Sequence, residues 1–152
     1  MEMNSNLEQY PSTYSRLTGE GYSPQQDLKV RKIVSVSENG TKYRLATDDK
    51  CSAVFQIDGY IIKKEEGRKC DKLILVRKDS TAKEEDWTEL FVELKGKDIL
   101  HAIEQLRDTL KNPKFRHQSN KDIRARIVAN LHSMPHFGFL RTPLPHQSLS
   151  QE

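Results

Sequence analysis

Cysteine is nearly absent: only Cys51 and Cys70 occur in 152 residues. Two thiols cannot build a structural zinc site without histidines, and they exclude a disulfide-dense scaffold. Reduced thiols in a cytoplasmic protein are the expectation. Long apolar runs are also missing. No segment reaches transmembrane length and no secretory h-region occurs, so no membrane association is expected. Aromatics make up 7% and hydrophobic residues 35%, against 31% charged. That is lean, but it allows one core of strands plus a helix if the ends stay outside it. No internal repeat is present. An excess of one charge is lacking too: the formal net charge is +3 and the pI about 8.8. Such a mild positive balance permits a polyanionic partner without requiring one.

The organisation follows from punctuation and periodicity. Residues 1–27 are polar and broken by Pro11, Gly19, Gly21 and Pro24, which reads as a flexible N-terminal arm. Residues 132–152 contain Pro143 and Pro145 and read as a C-terminal tail. Between them, 28–131 carries the domain. Lys29 to Ser37 alternates in hydropathy, Asn39-Gly40 follows, and Tyr43 to Ala46 leads away. Asn-Gly between two such runs predicts a hairpin, since both turn positions tolerate positive φ. A second hairpin is expected from Val54 to Ile57, across Asp58-Gly59, into Tyr60 to Ile62. Leu73 to Val76 is a short continuous apolar run, as expected of a strand buried on both faces. A charged loop leads to Trp87–Lys95, aromatic and β-branched, another strand. Asp98 is a predicted N-cap, with Ile99, Ala102, Ile103, Leu106 and Leu110 at helical spacing and Asn112-Pro113 as the stop. Ile123 to Leu131 is the last strand. A helix between two strands implies a crossover and a parallel neighbour. The expected fold class is therefore α/β: a mixed sheet with N-terminal hairpins, a crossover helix and loose termini.

The chemistry concentrates in Asp71, Glu93 and Lys95. Residues two apart on a strand point the same way, so Glu93 and Lys95 share a face and Leu94 takes the other. Charges at the end of an otherwise buried strand are costly unless they are paired or bind something. An antiparallel pairing of Asp71 with Glu93 centres the connecting loop on Ala82, in the middle of the charged stretch. Opposed carboxylates repel each other unless a cation lies between them. Hard oxygen ligands suit Mg²⁺ or Mn²⁺. The Leu94 carbonyl is a further candidate metal ligand. A metal held this way activates water and stabilises a leaving oxygen, and Lys95 beside it can orient the attacking water. A phosphodiester is the natural substrate.

Cys70-Asp71, then Glu93-Leu94-Lys95 on the next strand, followed by a helix and a further strand, resembles the restriction-endonuclease-like PD-(D/E)XK nuclease superfamily over about residues 50–131. The resemblance implies that fold, with Asp71 and Glu93 holding the metal and Lys95 as the catalytic lysine. It also implies an N-terminal helix with a further acid, for which Glu8 and Glu20 are the acids at hand. Gln105 stands where some related branches carry a motif glutamine, but Thr109 occupies the position of their accompanying aromatic. The proline that often precedes the aspartate is absent.

The expected activity is metal-dependent nuclease action, with DNA endonuclease first. The settings this resembles are restriction, phage defence and junction resolution, with a homodimer or a partner protein of a defence or repair system. The alternative is a catalytically inactive module that binds nucleic acid or protein on the same fold. Lys111, Lys114, Arg116, Lys121, Arg124 and Arg126 face a single acid, Asp122, across residues 111–126, and are the candidate phosphate contacts. Other residues have plainer readings. Asp58 belongs to a turn, Cys70 is a small buried residue rather than a nucleophile, and Trp87 is core or strand edge. Pro135 between His132 and His136 argues against a helical ligand pair. Tyr10, Tyr14 and Tyr22 belong to the polar arm. They can stack on bases, although an unstructured arm is the simpler expectation.

Overall fold

The computed structural model describes residues 9–78, 86–95 and 98–129, with Lys95 described by its backbone alone. A short helix α1 (Thr13–Gly19) is followed by β1 (Gln26–Glu38), β2 (Thr41–Gln56), β3 (Lys72–Arg77) and β4 (Trp87–Lys95), then helix α2 (Ile99–Leu110) and β5 (Asn120–Ala129). The strands form one five-stranded sheet in the order β1-β2-β3-β4-β5. The first four are antiparallel in sequence, and β5 lies parallel to β4. The crossover expected from the helix between two strands is therefore present, and the fold class is α/β with a mixed sheet.

Local chemistry explains the first hairpin. Asn39 (φ 48°) and Gly40 (φ 79°) both take positive φ between β1 and β2, the geometry that favours Asn-Gly there. The hairpin is not flat. Ile33 pairs with Ala46 but Arg31 pairs with Lys50, so three residues of β2, Thr47, Asp48 and Asp49, stand against Lys32 alone. Asp48 and Asp49 take φ of 51° and 61°, which short polar side chains tolerate best after glycine. A bulge of this kind bends the strand pair. The distal half of the hairpin then folds across the back of the sheet, and Val34, Val36, Tyr43 and Leu45 pack with Val54, Ile74, Val92 and Leu94.

The other face carries the larger core. Ala53, Phe55, Leu73, Leu75 and Phe91 pack there with Leu17 of α1, Leu106 of α2 and Phe115 of the 3₁₀ turn Pro113–Phe115. Residues Leu73 to Val76 are buried without exception, as a strand covered on both faces requires.

Three expectations need correction. Tyr60 to Ile62 form no strand. Asp58-Gly59 does make the turn, with the Tyr60 N–H donating to the Ile57 carbonyl at 3.2 Å, but β2 takes β3 as its second partner instead. Ile61 and Ile62 are both buried, and adjacent residues of a half-covered strand cannot both face one core. The arm reading also fails where 1–27 is described. Ser12 caps α1, Leu17 enters the core, and Tyr14 stacks on Trp87 at 5.9 Å. Finally, the buried stripe of α2 is Ala102, Leu106 and Thr109, while Ile99, Ile103 and Leu110 stay about 37–39% exposed. Among the described residues no helix is long and apolar enough to cross a membrane. Leu131, His132, His136 and the tail 132–152 lie outside the described residues.

Candidate metal centre and nucleic-acid interface

The pairing of β3 with β4 sets Lys72 opposite Val92 and Arg77 opposite Trp87. Extending that ladder by one step puts Asp71 opposite Glu93, which is the register expected from the length of the loop. Strand alternation places Asp71, Glu93 and the Lys95 position on the face that holds Leu73 and Phe91, under the helices. The carboxylates of Asp71 and Glu93 are buried, with 7% and 1% of their surface exposed. The side chain of Lys95 lies outside the described residues.

Asp71 is held from several directions. Its carbonyl accepts from the Ile57 N–H at 2.9 Å, which continues the β2–β3 ladder. Its Oδ2 accepts from the Leu94 N–H at 2.7 Å, so the carboxylate is latched onto the strand that carries Glu93. A backbone amide on a carboxylate is a charge-assisted bond, stronger than a neutral one. The residues just before it are held by α2. The Cys70 N–H donates to Thr109 Oγ1 at 2.8 Å, and that hydroxyl donates to the Gln105 carbonyl at 2.8 Å. Gln105 Nε2 in turn donates to the Lys69 carbonyl at 3.1 Å. The roll of α2 is thus set by polar clamps on the entry to β3, and this explains why its buried stripe departs from the apolar one.

Cys70 stands within the field of both carboxylates. Burial pushes its thiol well above the ordinary range; a bond from Thr109 opposes this, and the charges of Glu93 and Asp71 add to it. Cys70 is fully buried, as a small core residue is.

The oxygen donors that the sequence nominates for a metal are the Asp71 and Glu93 carboxylates and the Leu94 carbonyl, and the structure describes the first two as buried residues. Among the described residues no group of three or more His, Cys, Asp or Glu side chains is arranged to hold a metal ion. Mg²⁺ commonly binds through one or two carboxylates and keeps several waters, so this oxygen set is compatible with it. Compared with models of known families, with curated proteins and with solved structures, the chain matches none.

The six basic residues expected to contact phosphates do not share a surface. Lys114 is turned inward, its Nζ 3.1 Å from the Tyr22 hydroxyl and 5.4 Å over the Tyr22 ring. Arg116 is exposed, and its carbonyl accepts from the buried Arg16 at 2.7 Å. Lys121 is exposed at the irregularity that opens β5. Arg124 and Arg126 alternate with Ala125 and Ile127, so they project to the back face, away from Asp71 and Glu93. Arg124 is also engaged by Asp122 at 2.6 Å. Of the six, only Lys111, at the end of α2, borders a hollow shared with Arg68.

A different basic set stands on the connection that leads into β3. Lys64, Arg68, Lys69, His101 and Gln105 line an open cleft of about 300 Å³, together with Gly67 and Asp58. By sequence the stretch Lys63 to Lys69 is an ordinary polar connection. Four of its residues, Lys63, Lys64, Arg68 and Lys69, are basic, and that density is its only signal.

Among the described residues, helix α1 (Thr13–Gly19) carries no acid of its own. Glu20 is exposed at the C-cap of α1, and Glu8 lies outside the described residues. A third buried carboxyl does exist at the other end of β4. Glu89 has 1% of its surface exposed and accepts from Asn120 Nδ2. Burial raises its pKa to about 8, with the Arg16 charge and the Asn120 bond partly opposing the shift.

Proposed function

We propose that this protein is a metal-dependent phosphodiesterase, with DNA endonuclease action as the first expectation. The observation that carries the reading is the latch between strands: Asp71, at the entry of β3, is bound through its carboxylate to the Leu94 amide, beside the buried Glu93. Two carboxylates placed together at one end of a sheet meet a like-charge penalty that a divalent cation relieves. The order of elements supports the resemblance to the PD-(D/E)XK superfamily: antiparallel strands bearing the acids, a crossover helix, then a parallel strand.

Each residue has a distinct task. Asp71 and Glu93 would hold Mg²⁺ or Mn²⁺, with the Leu94 carbonyl as a further oxygen. The cation, when bound, supplies Lewis acidity toward the scissile phosphate and toward water. Lys95, two residues past Glu93, would orient the attacking water and offset charge on the phosphoryl oxygens. Thr109 and Gln105 keep the strand entry, and so the Asp71 carboxylate, in place.

The deciding experiment incubates the purified protein with circular DNA, linear DNA and structured RNA in Mg²⁺, Mn²⁺ or EDTA, with Glu93→Ala and Lys95→Ala alongside. Metal-dependent cutting lost in both variants supports the reading, and cutting of the circle makes the action endonucleolytic. No cutting of any substrate, with nucleic-acid binding unchanged by EDTA, replaces it with the non-catalytic binding module.

A further inference from the structure

The cleft between the connection Lys63–Lys69 and α2 is built rather than incidental. Lys69 is 6% exposed, and its ammonium is fixed by the carbonyls of Lys63 at 2.7 Å and Gly67 at 3.0 Å. The nearest carboxylate, Asp58, stands 4.0 Å away, at the limit of an ion pair. A buried cation held mainly by carbonyl dipoles keeps much of its field, because little water screens it. Arg68 lies on the rim, half exposed, 2.7 Å from an equally exposed Glu104. Such a surface pair holds its partners weakly. Lys64 is exposed and completes the wall, and His101 brings a ring nitrogen from the first turn of α2. Three cations thus face the single carboxylate of Asp58 across the lining.

Position gives this charge its meaning. Lys69 is two residues before Asp71, and Gln105, which lines the cleft, is hydrogen-bonded to the Lys69 backbone. The cleft therefore lies on the chain entry to Asp71, between that entry and α2, whereas Arg124 and Arg126 lie on the other face of the sheet. We propose that the Lys64–Arg68–Lys69 cleft is the phosphate-binding subsite of this protein, taking a backbone phosphate of the nucleic-acid strand next to the one presented to Asp71 and Glu93. This rests on the nuclease reading for the identity of the strand. The guanidinium of Arg68 supplies a planar donor fork for phosphate oxygens, Lys64 a mobile ammonium, and buried Lys69 a fixed positive field. Sugar-phosphate backbone is the recognised chemistry, and it is common to DNA and RNA.

Binding can be measured without catalysis. Fluorescence anisotropy in EDTA would follow a labelled DNA duplex and an RNA duplex of equal length, over a salt series, for wild type, Lys64→Ala, Arg68→Ala and the double variant. Lys42→Ala, an exposed lysine near the hairpin turn on the distal half of the hairpin, is the charge-matched control. The altered side chains are exposed, so an unchanged thermal midpoint checks that folding is intact. The expected result is severalfold weaker binding in each single variant, with the slope of log K against log salt shallower by about 0.9 for each phosphate that is no longer neutralised. Lys42→Ala should keep the wild-type slope. The better-bound duplex names the strand, and either supports the subsite. A double variant no weaker than Lys42→Ala, or a wild type that binds neither duplex, overturns the inference. A wild type that binds through the cleft but never cuts would overturn the nuclease reading alone.

Discussion

Glu89 and Glu93 share the inward side of β4, with Phe91 between them, and both are about 1% exposed. Their surroundings differ in kind. Around Glu89 the neighbours brace the fold: Asn120 Nδ2 bonds to it and also reaches Thr13 Oγ1 at 2.9 Å and the Phe115 carbonyl at 3.0 Å. Arg16, whose guanidinium holds the carbonyls of Pro113, Lys114 and Arg116, contributes charge from α1. Glu93 instead stands at the end of β4 where the strand is latched to a second carboxylate, Asp71, through the Leu94 amide. Burial of a carboxyl is thus not what marks a site. A protonated carboxyl satisfied by amides can serve as an internal brace, whereas two carboxylates brought together repel, and a bound cation relieves that repulsion.

Exchanging the two roles provides the strongest test. Glu93→Gln or Asp71→Asn should lower metal-dependent cutting by roughly 10²-fold or more, while Glu89→Gln stays within a few-fold of wild type in the same gel assay. Equal losses at Glu89 and Glu93 would erase the distinction.

The next effect is on stability against pH. Glu89 titrates near 8 when folded against 4.5 for an ordinary glutamate. The folded state therefore holds more protons than the unfolded one across that window, and stability falls as pH rises through it. At ~1.4 kcal/mol per unit the decline amounts to a few kcal/mol. Urea titrations from acid to pH 9 should show it in wild type and a flatter profile in Glu89→Gln. A wild-type profile with no such fall would mean that Glu89 is ionised and paired, not a neutral brace.

A smaller effect is expected where α2 grips the entry to β3. Thr109→Val leaves the Cys70 N–H without its acceptor, which costs about 1–3 kcal/mol and should loosen Asp71 enough to slow cutting severalfold. Thr109→Ser keeps the hydroxyl and should restore both readouts. Loss of stability with unaltered cutting would show that the clamp does not position the carboxylate. Smallest is Asp98→Ala. Its Oδ1 accepts the His101 N–H at 3.0 Å as the N-cap of α2, and its removal should cost ~1 kcal/mol in thermal or urea unfolding without altering the metal requirement.

Much of the frame is legible in the residues because it depends on short-range rules. Asn39-Gly40 names its own turn, Asp98 and Asn112-Pro113 bound α2, and the loop between two strands determines which residues lie opposite each other. That is why the Asp71–Glu93 register follows from the sequence. The second hairpin is misplaced by the same rules: Asp58-Gly59 does turn the chain, but a turn does not say which strand pairs with the next. The basic residues of 111–126 are neighbours only along the chain, and alternation along β5 sends Arg124 and Arg126 to the face opposite Asp71 and Glu93.

The sequence alone determined the α/β class, the crossover, the first hairpin and the facing of Asp71 with Glu93, since backbone preference and strand periodicity act over a few residues. Tertiary structure decided the bend of the hairpin over the back face, the roll of α2 onto Gln105 and Thr109, and the seating of α1 through Leu17 and Arg16. It also gathered Lys64, Arg68 and Lys69 into one cleft against α2. These depend on which surfaces meet across long separations, where packing density and satisfaction of buried polar groups outweigh local propensity.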